Sequence, residues 1–307
     1  MEQNKERKVS KKYAKRQFSL VGLFLILYTL FVLIVPYFLD YYLRTIESSI
    51  LDDILLYNGI YFIIILFGTV IPFFLMRLFF KVPFRKLHRS VTATFVNLFV
   101  QTIVFFTVCL ALTYVSNIIF SYVGLEGKLI SSIGLSYSDE NLNNALYVFM
   151  LLIVTPIIEE YAFRGVLLNV LGKYGKVFAL YACAIIFALA HNNFSEIIPA
   201  FAMGVLLGKT ALRYKSISPT IIIHILFNCF MYFLCVMPES ITKYLAYGLV
   251  AIFMITLYLI LSGHYERVRI QKLRSNKITN ILFYSRATVI IAILLMITNA
   301  ILNIVLK

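Results

Sequence analysis

The 307 residues are 61% hydrophobic and only 14% charged, and their mean hydropathy is +0.90. A soluble domain carries about 25% charged residues, so a water-soluble globular protein is excluded and no stretch is left for a separate soluble domain. The net charge of +14 raises nucleic acid as a partner, and its distribution along the chain argues against that.

A transmembrane helix needs about 20 mostly apolar residues. Nine runs fit that template: 18–39, 54–76, 93–122, 144–171, 177–191, 197–212, 217–237, 244–263 and 281–306. Within hydrocarbon each backbone polar group must be bonded inside the segment, so every run is expected to be helical. The expected fold is all-α, a polytopic membrane bundle of about nine helices, with eight as the alternative count.

Residues 1–17, MEQNKERKVSKKYAKRQ, form a basic cytoplasmic segment. They resemble the start of a signal peptide, yet the apolar run behind them is long, contains Pro36 and lacks a small-residue cleavage site. An uncleaved anchor is expected. Residues 18–143 supply three flanking helices and an outer loop in which SDEN is expected to cap the next span. Residues 144–237 form a core of four helices, and 238–307 add two more with a basic inner loop. That loop, HYERVRIQKLRSNKITN (264–280), either lies on the membrane as an amphipathic helix or is a solvated connection.

With the N-terminus in the cytoplasm, the inner connections hold 23 Lys and Arg, while the outer ones with Lys307 hold 4. Such asymmetry is the positive-inside signature. It implies an integral protein of the plasma membrane with its N-terminus cytoplasmic and C-terminus outside. Anionic lipid of the inner face is then the partner of the basic loops, and nucleic acid is not. Cys109, Cys183, Cys229 and Cys235 all fall within spans, so no disulfide framework is expected.

Polar residues concentrate in the core. In TPIIEEYAFRGVLL (155–168), Glu160 and Arg164 are spaced i,i+4 and can pair. Glu159 is rotated by about 100° from Glu160 and has no partner nearby in sequence. The pair serves either as an interhelical tether or to support chemistry at Glu159. In FALAHNNFSE (187–196), His191 ends a run only 15 steps from Lys176. At helical rise that is roughly 22 Å, against about 30 Å of hydrocarbon. The polar turn behind His191 is therefore recessed, as tolerated where it borders protein or water. In SPTIIIHILFNCF (218–230), Ser218 is expected to cap a helix that begins at Pro219 and on which His224 and Asn228 share a face. Interhelical hydrogen bonding is the bland role for both.

Together Glu159, His191, His224 and Asn228 bring a carboxylate, two imidazoles and an amide from three helices. They can activate a water directly, or Glu159, His191 and His224 can hold Zn²⁺. Asn228 can donate to an oxyanion. One feature opposes convergence. At helical rise Glu159 lies roughly 21 Å from Lys173 and His191 roughly 22 Å from Lys176, whereas His224 lies roughly 13 Å from Lys215. A tilted helix or an unwound start near Pro219 is needed to bring them level.

EEYAFR, FALAH and HILFN fit Glu-Glu-x-x-x-Arg, Phe-x-x-x-His and His-x-x-x-Asn. In order and spacing they resemble the Abi/CAAX-protease family, the CPBP intramembrane proteases related to CAAX prenyl endopeptidases. The resemblance implies a helical membrane fold around an intrabilayer cavity. It implies Glu159 and His191 on the attacking water, His224 and Asn228 on the oxyanion, and Glu160 with Arg164 in support. The family carries a metalloprotease label with an unsettled metal, so zinc is left open. A peptide or membrane-protein substrate is implied, with peptide maturation or bacteriocin self-immunity as the setting. The alternative is a non-catalytic membrane partner, an immunity or sensor-regulating protein that acts by binding. A proton-coupled transporter is a third class, opposed by the absence of an inverted repeat.

Overall fold

The structure is a computed structural model and describes residues 11–45, 54–83, 95–122, 148–238 and 277–305, with isolated positions at 145 and between 241 and 258. Every regular element among them is helical. They are α1 (Lys11–Thr29), α2 (Val35–Thr45), α3 (Ile54–Phe79), α4 (Phe95–Tyr122), α5 (Thr155–Glu159), α6 (Leu168–Gly172), α7 (Lys176–Ala190), α8 (Phe194–Tyr214), α9 (Ser218–Val236), α10 (Lys277–Tyr284) and α11 (Ala287–Val305). Three π-helical stretches, Leu30–Ile34, Met150–Val154 and Glu160–Leu167, join neighbouring α pieces into longer rods. The molecule is an all-α polytopic membrane bundle. Among the described residues four helices are long and apolar enough to cross a membrane: Lys11–Val32, Gly59–Phe79, Phe99–Tyr122 and Phe194–Tyr214. Shorter apolar helices are Lys176–Ala190, Ser218–Leu234 and Ala287–Leu302.

The expected runs map onto these rods with two differences. The first helix reaches from Lys11 and, through its π turn, to Thr45, beyond the apolar run 18–39. The last run, 281–306, is split: α10 ends at Tyr284 and α11 begins at Ala287, where Arg286 Nε turns back onto Leu282 O at 3.1 Å. The outer loop with SDEN, most of the 264–280 loop and the greater part of the 244–263 run lie outside the described residues.

Packing is set by small residues where backbones approach. In the Gly204-x-x-x-Gly208 pair of α8, a Cβ at Gly204 would lie 2.9 Å from Ala184 Cα on α7, and one at Gly208 would lie 2.5 Å from Leu180 Cδ1. Small residues at such spacing let membrane helices come together for dispersion contact, where no hydrophobic force drives them. Gly22 of α1 is likewise pressed against α11 at Thr288, whose hydroxyl donates to Ser19 O at 2.8 Å. Lys173 Nζ reaches Phe80 O at 2.9 Å and so satisfies the end of α3.

Aromatic rings fill the space between the rods. Phe18, Phe178 and Phe283 form one edge-on cluster. Tyr28, Phe73, Phe163 and Phe187 form another, which runs from α1 and α3 into the core. This second cluster ends at the charged residues of the core.

Candidate active site

Glu159 is the last residue of α5, and Glu160 opens the π stretch Glu160–Leu167, of which every residue except Tyr161 is buried. A π turn bonds N–H to the carbonyl five residues back, so it widens the helix and misaligns carbonyls with their ordinary donors. Side chains around it add further donors to its carbonyls, one of which, Phe163 O, also accepts the Leu168 N–H. Asn169 Nδ2 donates to Arg164 O and Gly165 O at 3.1 and 2.9 Å. The Cys183 thiol donates to Phe163 O at 3.2 Å, which gives this buried thiol a polar task as well as an apolar one.

The preceding π turn shows the same logic. Thr155 N–H bonds Met150 O, five residues back. The next carbonyl, Leu151 O, would turn to residue 156, which is proline and has no N–H. Asn228 Nδ2 of α9 takes that place at 3.4 Å. Asn228 is thus a tether between α9 and the Glu159 helix, with one further amide proton to donate.

Glu160 is fully buried and lies 2.6 Å from Arg164 Nη1, the pairing that the i,i+4 spacing predicts. Its Oε1 also meets His224 Nδ1 at 3.0 Å. A carboxylate only accepts, so Nδ1 carries the proton and Nε2 is the ring atom left for chemistry. His224 Nε2 faces Glu159 Oε2 at 3.7 Å, and the Glu159 side chain is 26% exposed. That separation is too long for a hydrogen bond, but both atoms can contact one oxygen placed beside them. Glu160 and Arg164 therefore aim His224, and His224 and Glu159 meet where the buried network opens.

His191 closes α7. Its Nδ1 lies 2.8 Å from Phe187 O, and because a carbonyl only accepts, Nδ1 is the donor and Nε2 again carries the lone pair. The turn beyond it is held by Asn192 in the left-handed region (φ 57°), which asparagine tolerates. Asn193 Oδ1 accepts from Ser195 N at 3.2 Å and its Nδ2 donates to Glu196 Oε1 at 3.0 Å, an N-cap for α8. Ser116 of α4 donates to Ser195 O at 2.6 Å and anchors the turn from the other side.

His191 makes no hydrogen bond or ion pair to Glu159 or His224 among the described residues; the Phe187 ring joins them. That ring stacks edge-on against His191 at 4.6 Å and His224 at 6.3 Å, and Arg164 Cζ lies over it at 4.1 Å. Sequence reasoning marked Phe187 only as a motif letter. Its hub position between an arginine and two histidines comes from three helices meeting.

The helix-rise mismatch at His224 does not prevent the meeting. The start of α9 is intact, with Ile221 N on Ile217 O at 2.9 Å, so no unwinding near Pro219 is involved. The π stretch advances less per residue than an α-helix, which shortens the rod from Glu159 to Lys173. Lys215 sits in a left-handed turn (φ 52°) after α8 and is a poor marker of depth.

Zinc fits poorly here. Among the described residues no three His, Cys, Asp or Glu side chains are arranged to hold a metal ion. Glu159, His191 and His224 do not converge as ligands, and His224 has one ring nitrogen committed to Glu160. An apolar groove of about 210 Å³ is lined by Val70, Ile157, Ile158, Tyr161, Ile217 and Ile221.

Residues 141–230, which carry Glu159, Glu160, Arg164, His191, His224 and Asn228, match the family described as type II CAAX prenyl endopeptidase Rce1-like. The core of this chain is therefore similar to CAAX-type proteases. Over 106 residues it is 35% identical to the membrane-embedded CAAX protease MroQ of Staphylococcus aureus (strain USA300), a match covering 32% of this chain and 43% of that protein. The chain thus spans less than half the length of this relative in the match. No solved structure matches. The matched block is the one that polar content singled out, and the flanking rods α1, α3 and α11 lie outside the matched residues.

Proposed function

We propose that this protein is an intramembrane endopeptidase of the CAAX-protease type, acting on a peptide or membrane-associated protein. The observation that carries the reading is the Glu159–His224 meeting, 3.7 Å apart at the partly exposed edge of a buried network of charge. Ionisable groups at membrane depth are costly and mark function.

In the proposed reaction, Glu159 takes a proton from a water that His191 Nε2 also orients, and the water oxygen adds to the scissile carbonyl carbon. The second amide proton of Asn228 and, in the doubly protonated form of its ring, the Nε2–H of His224 face the oxygen on which charge develops, with Glu160 and Arg164 holding the ring in place. Glu159 then passes its proton to the leaving nitrogen as the C–N bond breaks, giving a carboxylate and an amine.

Peptide maturation or self-immunity against bacteriocins is the proposed setting, in the plasma membrane with the N-terminus in the cytoplasm. The test uses the purified protein in liposomes with a library of hydrophobic peptides, read by mass spectrometry. Cleavage at defined bonds supports the assignment. An intact library, with protein that still melts cooperatively, overturns it and favours a partner that acts by binding.

A further inference from the structure

Glu160 has two carboxylate oxygens, and the contacts above use one. Oε1 accepts from Arg164 and His224, whereas Oε2 is buried and takes no hydrogen bond. Thr220 lies four residues before His224, on the same face of α9, and is fully buried. Its hydroxyl lies against the Glu160 carboxylate while donating to Ile217 O at 2.7 Å. Ile217 O also accepts from Ile221 N at 2.9 Å, so this carbonyl keeps a partner if the hydroxyl turns away.

We propose that Thr220 is a further positioning residue of the site, whose hydroxyl turns from Ile217 O to donate to Glu160 Oε2. Rotation about one C–O bond accomplishes the exchange, and no backbone bond is lost. With Oε2 held by Thr220, the carboxylate plane is fixed and Oε1 stays on His224 Nδ1. That in turn keeps His224 Nε2 aimed at Glu159. Thr220, His224 and Asn228, at successive four-residue steps, then form one face of α9 that addresses the Glu159 helix at three levels: Glu160 Oε2, Glu160 Oε1 with Glu159, and Leu151 O.

The kinetic consequence rests on the protease reading; the effect on His224 does not. The test compares full-length wild type with Thr220→Val, which keeps the shape, and Thr220→Ser, which keeps the hydroxyl. The ¹⁵N spectrum of His-labelled protein, with His224 assigned by His224→Gln, is recorded beside cleavage of a library peptide across pH. Thr220→Val is expected to disturb the Nδ1-protonated state of His224 and to lower kcat about tenfold or more with KM little changed, the size of one hydrogen bond to a charged group. Thr220→Ser is expected to restore both. A Val variant with the wild-type His224 spectrum and pH profile overturns the proposal, as does a Ser variant that fails to recover. If wild type cleaves nothing, the protease reading falls while the His224 spectra still decide the role of Thr220.

Discussion

Arg164→Met separates the charge of the guanidinium from its bulk. Glu160 and Arg164 are 0% and 1% exposed, so solvent cannot take over when one partner is lost. Breaking a buried pair by removing one side costs about 3–5 kcal/mol, because the remaining charge is left uncompensated. Arg164 also lies 4.1 Å over the Phe187 ring, a cation–π contact worth roughly 2 kcal/mol when desolvated. The single variant should therefore melt well below wild type in detergent, by fluorescence-monitored size exclusion after heating. The double variant Glu160→Gln/Arg164→Met removes both charges and should recover most of the loss, while cleavage stays lost because His224 is no longer aimed. A single variant that melts with wild type would refute the idea that Glu160 is a buried charge held by Arg164.

Gly204→Val should destabilise by about 1–3 kcal/mol through overpacking, since even its Cβ would sit 2.9 Å from Ala184 Cα; thermal melts should show it beside Gly59→Ala as a neutral control, where nothing lies within 4 Å. Asn193→Ala should cost about 1 kcal/mol by loss of the α8 cap, measured by the same melts, and should lower cleavage by loosening the turn behind His191. Chelation with EDTA should leave cleavage of the library unchanged, because Glu159, His191 and His224 do not converge as ligands; loss of activity restored by added Zn²⁺ would contradict that.

Much of the architecture was legible because a bilayer leaves the chain few choices. Hydropathy located the rods, and the i,i+4 spacing of Glu160 and Arg164 anticipated their 2.6 Å contact. The π stretches were not legible. In a helix apolar on nearly every side, no polar stripe records a change of pitch, and the depth of His224 was judged with an α rise that Glu160–Leu167 does not follow. Pro156 was visible, yet its consequence, an orphaned Leu151 carbonyl taken by Asn228, needs the neighbouring helix. The break at Ser285–Arg286 was hidden because a hydropathy window averages across two residues. Thr220 had a signal, its four-residue step before His224, but a threonine in a helical first turn usually bonds its own backbone.

The most direct test of the account replaces a single oxygen. Glu159→Gln keeps the size and position of the side chain facing His224 and removes its ability to take a proton. The account predicts a correctly inserted protein with wild-type melting and cleavage lowered by at least about 100-fold, the lower bound for losing a general base. Cleavage at the wild-type rate in that variant would contradict it.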